Sequence, residues 1–368
     1  MNDKLKNARK NINEIDRQMA ELFVKRMEAS KEVAEFKKEH GMPIFDSARE
    51  EEVIRNNSNL IENDEIRGYY TNFLRNTMQT SKNYQRKLIE GMRVAYSGIE
   101  GAFAHIATSK LFPDALKVPF SNFKDAYDAV VSGDCDACVL PLENSYAGEV
   151  GQVTDLLFSG PLYINGTYEL SVTHDLLAPK GAKLEDIKEI ISHPQAISQC
   201  AQYIKRMGFK ETPYENTALA ARFVAEKNDK TVAAIASKDS AELYGLEVLA
   251  EHINQSETNT TRFAILSRSE NKNNSKVHGA NFAIMFTVRN EAGSLARALN
   301  IIGAHGFNLR TLRSRPMKEL MWQYYFYAEA EGNIHSADGE GMLESLKICC
   351  DLLKLVGSFV KHNETEEK

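Results

Sequence analysis

The sequence predicts a multidomain protein in three blocks: an all-α first quarter of three helices, a two-lobed α/β middle and a small α+β end. Three observations carry that reading. Residues 1 to about 90 hold a single proline and few glycines, and their apolar side chains recur at helical steps. From Met92 onward, short apolar runs alternate with helical stretches. Beyond Ser267–Lys276, a stretch without one apolar residue, the order becomes strand, helix, strand, strand, helix, strand.

In the first block Leu5, Ala8, Ile12, Ile15, Met19 and Leu22–Phe23 mark one amphipathic helix, which Gly41-Met-Pro43 stops. A second helix is expected over Phe45–Leu60 and a third from about Asp64 to Leu88. Three helices, the first so long, bury their own stripe poorly, so a partner is expected. The middle block offers strands at Arg93–Tyr96, Lys117–Phe120 and Asp136–Leu142, then at Glu189–Ser192, Thr212–Tyr214 and Thr231–Ala236. Helical stretches separate the members of each triple, as in parallel α/β sheets. The second triple echoes the first about 95 residues later. Two such lobes, joined by Leu162–Ala178 and by a return near His252–Ser267, imply a cleft between them.

Ser267–Lys276 reads as a linker. Strands over Asn281–Val288, Asn308–Ser314, Trp322–Ala330 and Val356–Val360, with helices over Ser294–His305 and Met342–Leu353, then follow the ferredoxin-like plan. The polar tail His362–Lys368 is expected to fray.

Composition narrows the function. The 368 residues are 43% hydrophobic and 26% charged, enough to build real cores, and a net charge of -6 leaves no basic surplus for nucleic acid. The polar start MNDKLKNARK lacks a signal-peptide core, and no run of about 18 apolar residues suits a membrane. Five scattered cysteines fit a reducing cytoplasm better than a disulfide framework. Cys135 and Cys138 form one C-x-x-C, short of the four ligands of a zinc site. A G-x-G-x-x-G turn for a dinucleotide is absent.

Arg9, Arg26 and Lys37 share the first helix, and 11 residues between the last two place them on one face. Arg9 lies about 42 Å from Lys37 along the axis, so a single small molecule reaches both only if an antiparallel second copy supplies its own Arg9. The spacing by itself is equally that of a helix with solvated charges. Beyond it come Pro43-Ile-Phe-Asp46-Ser-Ala-Arg49-Glu50 and, on the last helix, Ser81 and Gln85. Taken together, residues 1–90 resemble the all-helical chorismate mutase family. The resemblance implies an intertwined homodimer in which Arg9 of one copy and Arg26 of the other clamp the two carboxylates of chorismate. Lys37 and Gln85 would stabilise the ether oxygen as its bond breaks, while Asp46, Arg49, Glu50 and Ser81 complete the pocket.

Residues 92–268 carry Thr260-Thr261-Arg262-Phe263, Pro141-Leu-Glu143-Asn144-Ser145, Ser192-His-Pro-Gln195 and Leu243-Tyr-Gly-Leu246. They resemble the prephenate dehydratases, which implies a two-lobed, periplasmic-binding-like α/β domain that decarboxylates and dehydrates prephenate with neither metal nor cofactor, since the new aromatic ring supplies the driving force. By that resemblance Thr261 hydrogen-bonds or protonates the departing hydroxyl. Glu143, Asn144, Ser145, Ser192, Gln199, Glu215 and Phe263 line or orient the substrate. Arg262 is either a carboxylate anchor or a structural ion-pair partner. For His193, set before Pro194, the residues favour a helix cap over a base. The turn Gly98–His105 resembles the family's first strand-to-helix turn, but Ala102 and Ala104 stand where hydroxyls are common.

Residues 279–360 resemble an ACT domain, an amino-acid-binding ferredoxin-like module. Gly293, Ser294 and Leu295 match its turn into the first helix, and Arg313-Ser314-Arg315-Pro316 matches a Glu-Ser-Arg-Pro stretch with its first charge reversed. The resemblance implies phenylalanine as effector; a purely dimerising module is the alternative. The whole reads as a homodimer or higher homo-oligomer converting chorismate through prephenate to phenylpyruvate, with no nucleic-acid or membrane partner. A dehydratase whose helical block is only a dimerisation or regulatory arm, and an amino-acid-sensing binding protein without catalysis, are the competing readings.

Overall fold

The computed structural model describes residues 2–256, 258–317 and 323–363. It divides into two compact units, 1–93 and 94–368. The first consists of α1 (Asn2–Glu39), α2 (Ser47–Ser58) and α3 (Asp64–Glu90). The second helix is shorter than its apolar pattern suggested, because the Asp46 carboxylate accepts the Arg49 amide at 3.0 Å and sets the N-terminus at Ser47. Asn63 caps α3 in the same way. Ala34, Met78, Ser81 and Gln85 are buried between the helices. Leu5, Ile12, Ile15, Met19, Leu22 and Phe23 stay at least 43% exposed.

The second unit begins with β1 (Arg93–Ser97), α4 (Phe103–Leu111), β2 (Leu116–Phe120), α5 (Phe123–Ser132), β3 (Ala137–Asn144), β4 (Gly148–Glu149), α6 (Gly151–Ser159) and β5 (Tyr163–Ser171). A second lobe follows with β6 (Asp175–Ala178), β7 (Glu189–Ser192), α7 (Pro194–Gln199), α8 (Ala201–Met207), β8 (Lys210–Pro213), α9 (Thr217–Lys227), β9 (Val232–Ala236), α10 (Lys238–Tyr244) and β10 (Glu247–Ala250). The chain then returns through β11 (Thr260–Ser267). The last block is β12 (Asn281–Val288), α11 (Ser294–Ala304), β13 (Asn308–Pro316), β14 (Tyr324–Glu331), α12 (Ala337–Cys349) and β15 (Cys350–Asn363). The expected strand start at Trp322 and the tail beyond Asn363 lie outside the described residues.

The echo between the two triples is topological. The first lobe orders its strands β2-β1-β3-β11-β5 and the second β8-β7-β9-β6-β10. In each, a parallel pair (β1 with β3, β7 with β9) is extended by antiparallel strands. The lobes are joined twice, after β5 and before β11, and these crossings bond to each other where the Val172 amide donates to the Asn259 carbonyl at 2.7 Å. At the far end Tyr244 Oη donates to the Glu100 carbonyl at 2.7 Å and Ser240 Oγ to that of Gly101 at 3.2 Å. The Leu243-Tyr-Gly-Leu246 stretch therefore holds one lobe against the other.

The last block has the expected ferredoxin-like order, with two corrections. β15 is 14 residues long and leaves β12 to pair in parallel with β5, from Val360↔Gly166 to Asn363↔Glu169. One ten-stranded sheet thus runs through the last block and the first lobe among the described residues, and His362 belongs to a strand instead of a frayed tail. The polar run Ser267–Lys276 is also no loose linker. Its first residue ends β11, Lys272–Lys276 forms a 3-10 turn, and Asn274 Nδ2 donates to the carbonyls of Asn165 (2.7 Å) and Ser358 (3.0 Å). Polar side chains here tie strands together. The core is shared too: Leu140, Leu157 and Ile164 of the first lobe pack in one cluster with Met285, Tyr325 and Phe359 of the last block. Among the described residues, no helix is long and apolar enough to cross a membrane.

Candidate active sites

In the helical unit, α1 and α3 bring together cations and amides. Arg26 donates to Ser81 Oγ and, at 3.3 Å, to the Thr77 carbonyl; burial pulls its guanidinium below the ordinary arginine value. Lys37 Nζ donates to the Ile44 carbonyl at 2.6 Å. Buried Gln85 leaves Oε1 without a partner among the described residues. Glu50 meets Lys82 at 2.7 Å, a partner that sequence reading missed although it directly follows Ser81. One Asp46 oxygen is occupied as the α2 cap, and Arg49 turns to Glu52 at 2.6 Å on the exposed side. Arg9 lies on an exposed stretch of α1, 28 residues before Lys37, and the single chain does not bring the two together.

In the α/β unit the antiparallel pairing of β3 with β11 sets Thr261 opposite Asn144 and Arg262 opposite Glu143. Side chains alternate along a strand, so these two adjacent pairs face opposite sides of the sheet. On one side Asn144 Nδ2 donates to Thr261 Oγ1 and to Asn259 Oδ1, each at 2.9 Å, with the Thr260 carbonyl a longer third contact at 3.2 Å. Asn144 Oδ1 accepts the amides of Tyr146 (3.0 Å) and Ala147 (2.9 Å), which settles the side chain's orientation. Asn259 Nδ2 continues to Gln199 Oε1 at 3.2 Å, and that oxygen lies 2.8 Å from His174 Nε2. Ser145 closes the return crossing: its Oγ donates to the Thr258 carbonyl and accepts the Thr260 amide.

On the opposite side Arg262, 7% exposed, places its fork on Glu329 of β14 at 2.8 and 2.6 Å, and Tyr327 Oη donates to the same carboxylate at 2.6 Å. Burial lowers the Arg262 pKa, but the hydrogen bond and charge of Glu329, joined by Tyr327 and Glu169, outweigh it and the net shift is upward. Glu143 Oε1 sits 2.7 Å from Arg262 Nε, in charge contact but off the N–H direction, while its other oxygen accepts from Arg313 of β13. Arg315, two residues on, grips Asp155 at 3.0 and 3.3 Å. Ser314 and Pro316 alternate with these arginines and are exposed. Gly293 takes positive φ ahead of α11, Ser294 is buried, and Leu295 lines a cavity of about 550 Å³ with Thr287, Glu291, Tyr324 and Phe326.

Of the expected cleft residues, Glu143 lies on this opposite side with Arg262, and Ser192, Phe263 and Glu215 are found as follows. Ser192 is fully buried and donates to the Ile235 carbonyl at 2.6 Å. Phe263 is buried in the first lobe. Glu215 is exposed and makes no hydrogen bond or ion pair among the described residues. His193 caps α7, accepting the Gln195 amide on Nδ1 at 3.2 Å. The Gly101 amide of the glycine turn is taken by His105 Nδ1.

Residues 8–86 match the chorismate mutase type II family and residues 94–271 the prephenate dehydratase family. The bifunctional chorismate mutase/prephenate dehydratase of Enterobacter agglomerans is 30% identical over 96% of this chain and 95% of its own length. This chain belongs to the bifunctional chorismate mutase/prephenate dehydratase family. Arogenate dehydratase 2 of Petunia hybrida is 32% identical over 76% of this chain and 75% of its own length. A solved prephenate dehydratase from Arthrobacter aurescens in complex with L-Phe matches 73% of this chain and 90% of its own, at 26% identity and a TM-score of 0.67. The chain carries chorismate mutase and prephenate dehydratase activities, both of which serve phenylalanine biosynthesis. Sequence reading missed Asn259, His174, Lys82 and Glu329. Asn259, two residues before Thr261, and Lys82, next to Ser81, carried a local signal; His174 and Glu329 did not.

Proposed function

We propose that Thr261 is the hydrogen-bond donor to the hydroxyl leaving prephenate, that two copies of the helical block share each mutase site, and that phenylalanine acts on the last block. The orientation of Asn144 carries the first point. Two backbone amides fill its Oδ1, so Nδ2 must face Thr261 Oγ1. The threonine oxygen therefore accepts from Asn144, and its own hydrogen is left for the cleft. In the reaction the C–C bond to the ring carboxylate breaks and its electron pair enters the ring. The C–O bond then breaks, and hydroxide leaves as water by taking one proton. The aromatic ring supplies the driving force, so a hydrogen bond to the leaving group and placement of the substrate suffice. Asn144 and Gln199 orient the substrate and Ser145 fixes the return crossing. Arg262 and Glu143 act as structural partners on the far face.

In the mutase, Arg26 with Ser81, and Lys37 with Gln85, hold a dianion and its breaking ether bond. Glu50, Asp46 and Arg49 shape the wall, and Arg9 comes from the second copy. The exposed stripe Leu5–Phe23 supports that homodimer: an apolar face of this size is the usual mark of an interface. Residues 1–90, 92–268 and 279–360 act as mutase, dehydratase and ACT-type sensor, with Gly293, Ser294 and Leu295 at the effector cavity. The L-Phe complex of the Arthrobacter aurescens relative supports phenylalanine as effector. Five free thiols suit a cytoplasmic enzyme.

The test is to feed purified protein chorismate without nucleotide and follow phenylpyruvate. Lys37→Ala should abolish mutase turnover and spare dehydration of supplied prephenate. Thr261→Val should do the reverse, with a loss of about 10²-fold or more in dehydratase kcat. If either change removes both activities, the separate sites are wrong. Sedimentation as a monomer with full mutase activity would sink the shared site, and calorimetry without phenylalanine binding would remove the sensor.

A further inference from the structure

The hydrogen bonds behind Thr261 form one directed chain that crosses both lobe connections. Its direction is set at one end. The Tyr146 and Ala147 amides orient Asn144, whose Nδ2 enters Asn259 Oδ1, so Asn259 Nδ2 must donate onward to Gln199 Oε1. An amide oxygen only accepts, and His174 Nε2 must therefore carry the hydrogen that points at Gln199. This leaves His174 Nδ1 bare, and that atom is buried without a partner among the described residues. Asn144 and Thr261 belong to the first lobe, Gln199 to the second, and Asn259 and His174 to the two crossings. Asn259 is 4% exposed and His174 2% exposed, so water does not substitute for either link.

We propose that Asn259 and His174 are positioning residues of the dehydratase: with Gln199 they hold in place the Asn144 amide, already oriented by the Tyr146 and Ala147 amides, so that Thr261 Oγ accepts from it and keeps its own hydrogen aimed at the substrate. The chain also ties that aim to the spacing of the lobes, since its middle link spans from crossing to second lobe. Burial holds the His174 imidazole below its ordinary pKa, against opposing effects of the Gln199 hydrogen bond and the Asp175 charge, which is consistent with a neutral ring. Phe103 packs edge-on against that ring at 5.8 Å between centroids and keeps it in place. The inference rests on the role proposed above for Thr261.

Asn259→Ala in the full-length protein should lower dehydratase kcat by roughly 10- to 100-fold with KM changed less than about threefold. Mutase turnover of the same preparation should be unchanged. His174→Gln keeps a donor where Nε2–H stood and should hold kcat within about threefold of the parent, whereas His174→Leu fills the space without a donor and should lose at least about tenfold. Should Asn259→Ala or His174→Leu keep its kcat, or should Gln and Leu at 174 lose kcat alike, positioning is refuted. If the parent makes no phenylpyruvate from prephenate, the role of Thr261 is what fails. The chain is then judged separately by nitrogen-15 NMR of the histidines: a His174 ring protonated on Nε2 supports it, and one protonated on Nδ1 overturns it.

Discussion

Arg262 sits beside Thr261 in the chain and on the other side of the sheet, and its environment explains why the pair stays together. A guanidinium this buried needs compensation for its lost hydration. Glu329 supplies it with two hydrogen bonds, and Tyr327 Oη supports the carboxylate, with its own pKa raised by burial and by that charge. The sequence left Arg262 open between substrate anchor and ion-pair partner, because its answer lies 67 residues away on β14. Removing one member of such a pair strands the other. Glu329→Gln is expected to cost about 3 kcal/mol in unfolding free energy, the low end for a broken buried pair because Glu143 still lies close. Denaturant unfolding followed by tyrosine fluorescence measures it; a loss below about 0.5 kcal/mol would mean that the pair is not what holds the strand.

β15 shows how an element can be longer than its signal. Its apolar run suggested a strand over Val356–Val360, yet it pairs from Cys350 to Asn363 because it finds partners on two different strands. Local pattern cannot report a partner that is distant in sequence. The transfer between partners happens near Gly357, whose φ of +146° is closed to most side chains and whose Cβ would meet the backbone of Ile164. Gly357→Ala should therefore cost about 1–3 kcal/mol from backbone strain alone, and more where the strands must separate. Thermal unfolding of the variant checks this, and an unshifted midpoint would show that the crossing tolerates a side chain. The same reasoning covers Ser267–Lys276, whose polarity read as solvation while its asparagines bond to two strands.

Across the molecule, the last block is fixed to the first lobe by charges from alternate strand positions. Arg313 reaches Glu143, Arg315 reaches Asp155, and Lys354 Nζ donates to the carbonyls of Leu157, Phe158 and Gly160 at the end of α6. Burial lowers the Lys354 pKa. Glu143 directly precedes Asn144, so a contact made by the last block ends one residue from the candidate catalytic pair. The charge reversal at Arg313 fits this local setting, since a glutamate there would face Glu143. Arg313→Glu is accordingly expected to lower stability by about 2–4 kcal/mol and to change dehydratase kcat while mutase turnover stays constant. Paired assays with denaturant midpoints test it; an unaltered midpoint would show that Arg313 and Glu143 do not bind each other in solution.

Periodicity by itself determined that the first block is three helices, and alternation of apolar runs determined the paired lobes and the ferredoxin-like end. Short motifs around Thr261, Asn144, Lys37 and Gln85 pointed to the chemistry. These are local signals, written within a turn of helix or a few residues of strand. Tertiary structure alone decided that Arg262 meets Glu329, that Ser192 and Phe263 are buried, and that Asn259 and His174 stand behind Thr261. Hydrogen bonds and ion pairs act over about 3 Å of space and leave no trace in chain distance: Asn144 and Thr261 touch across 117 residues.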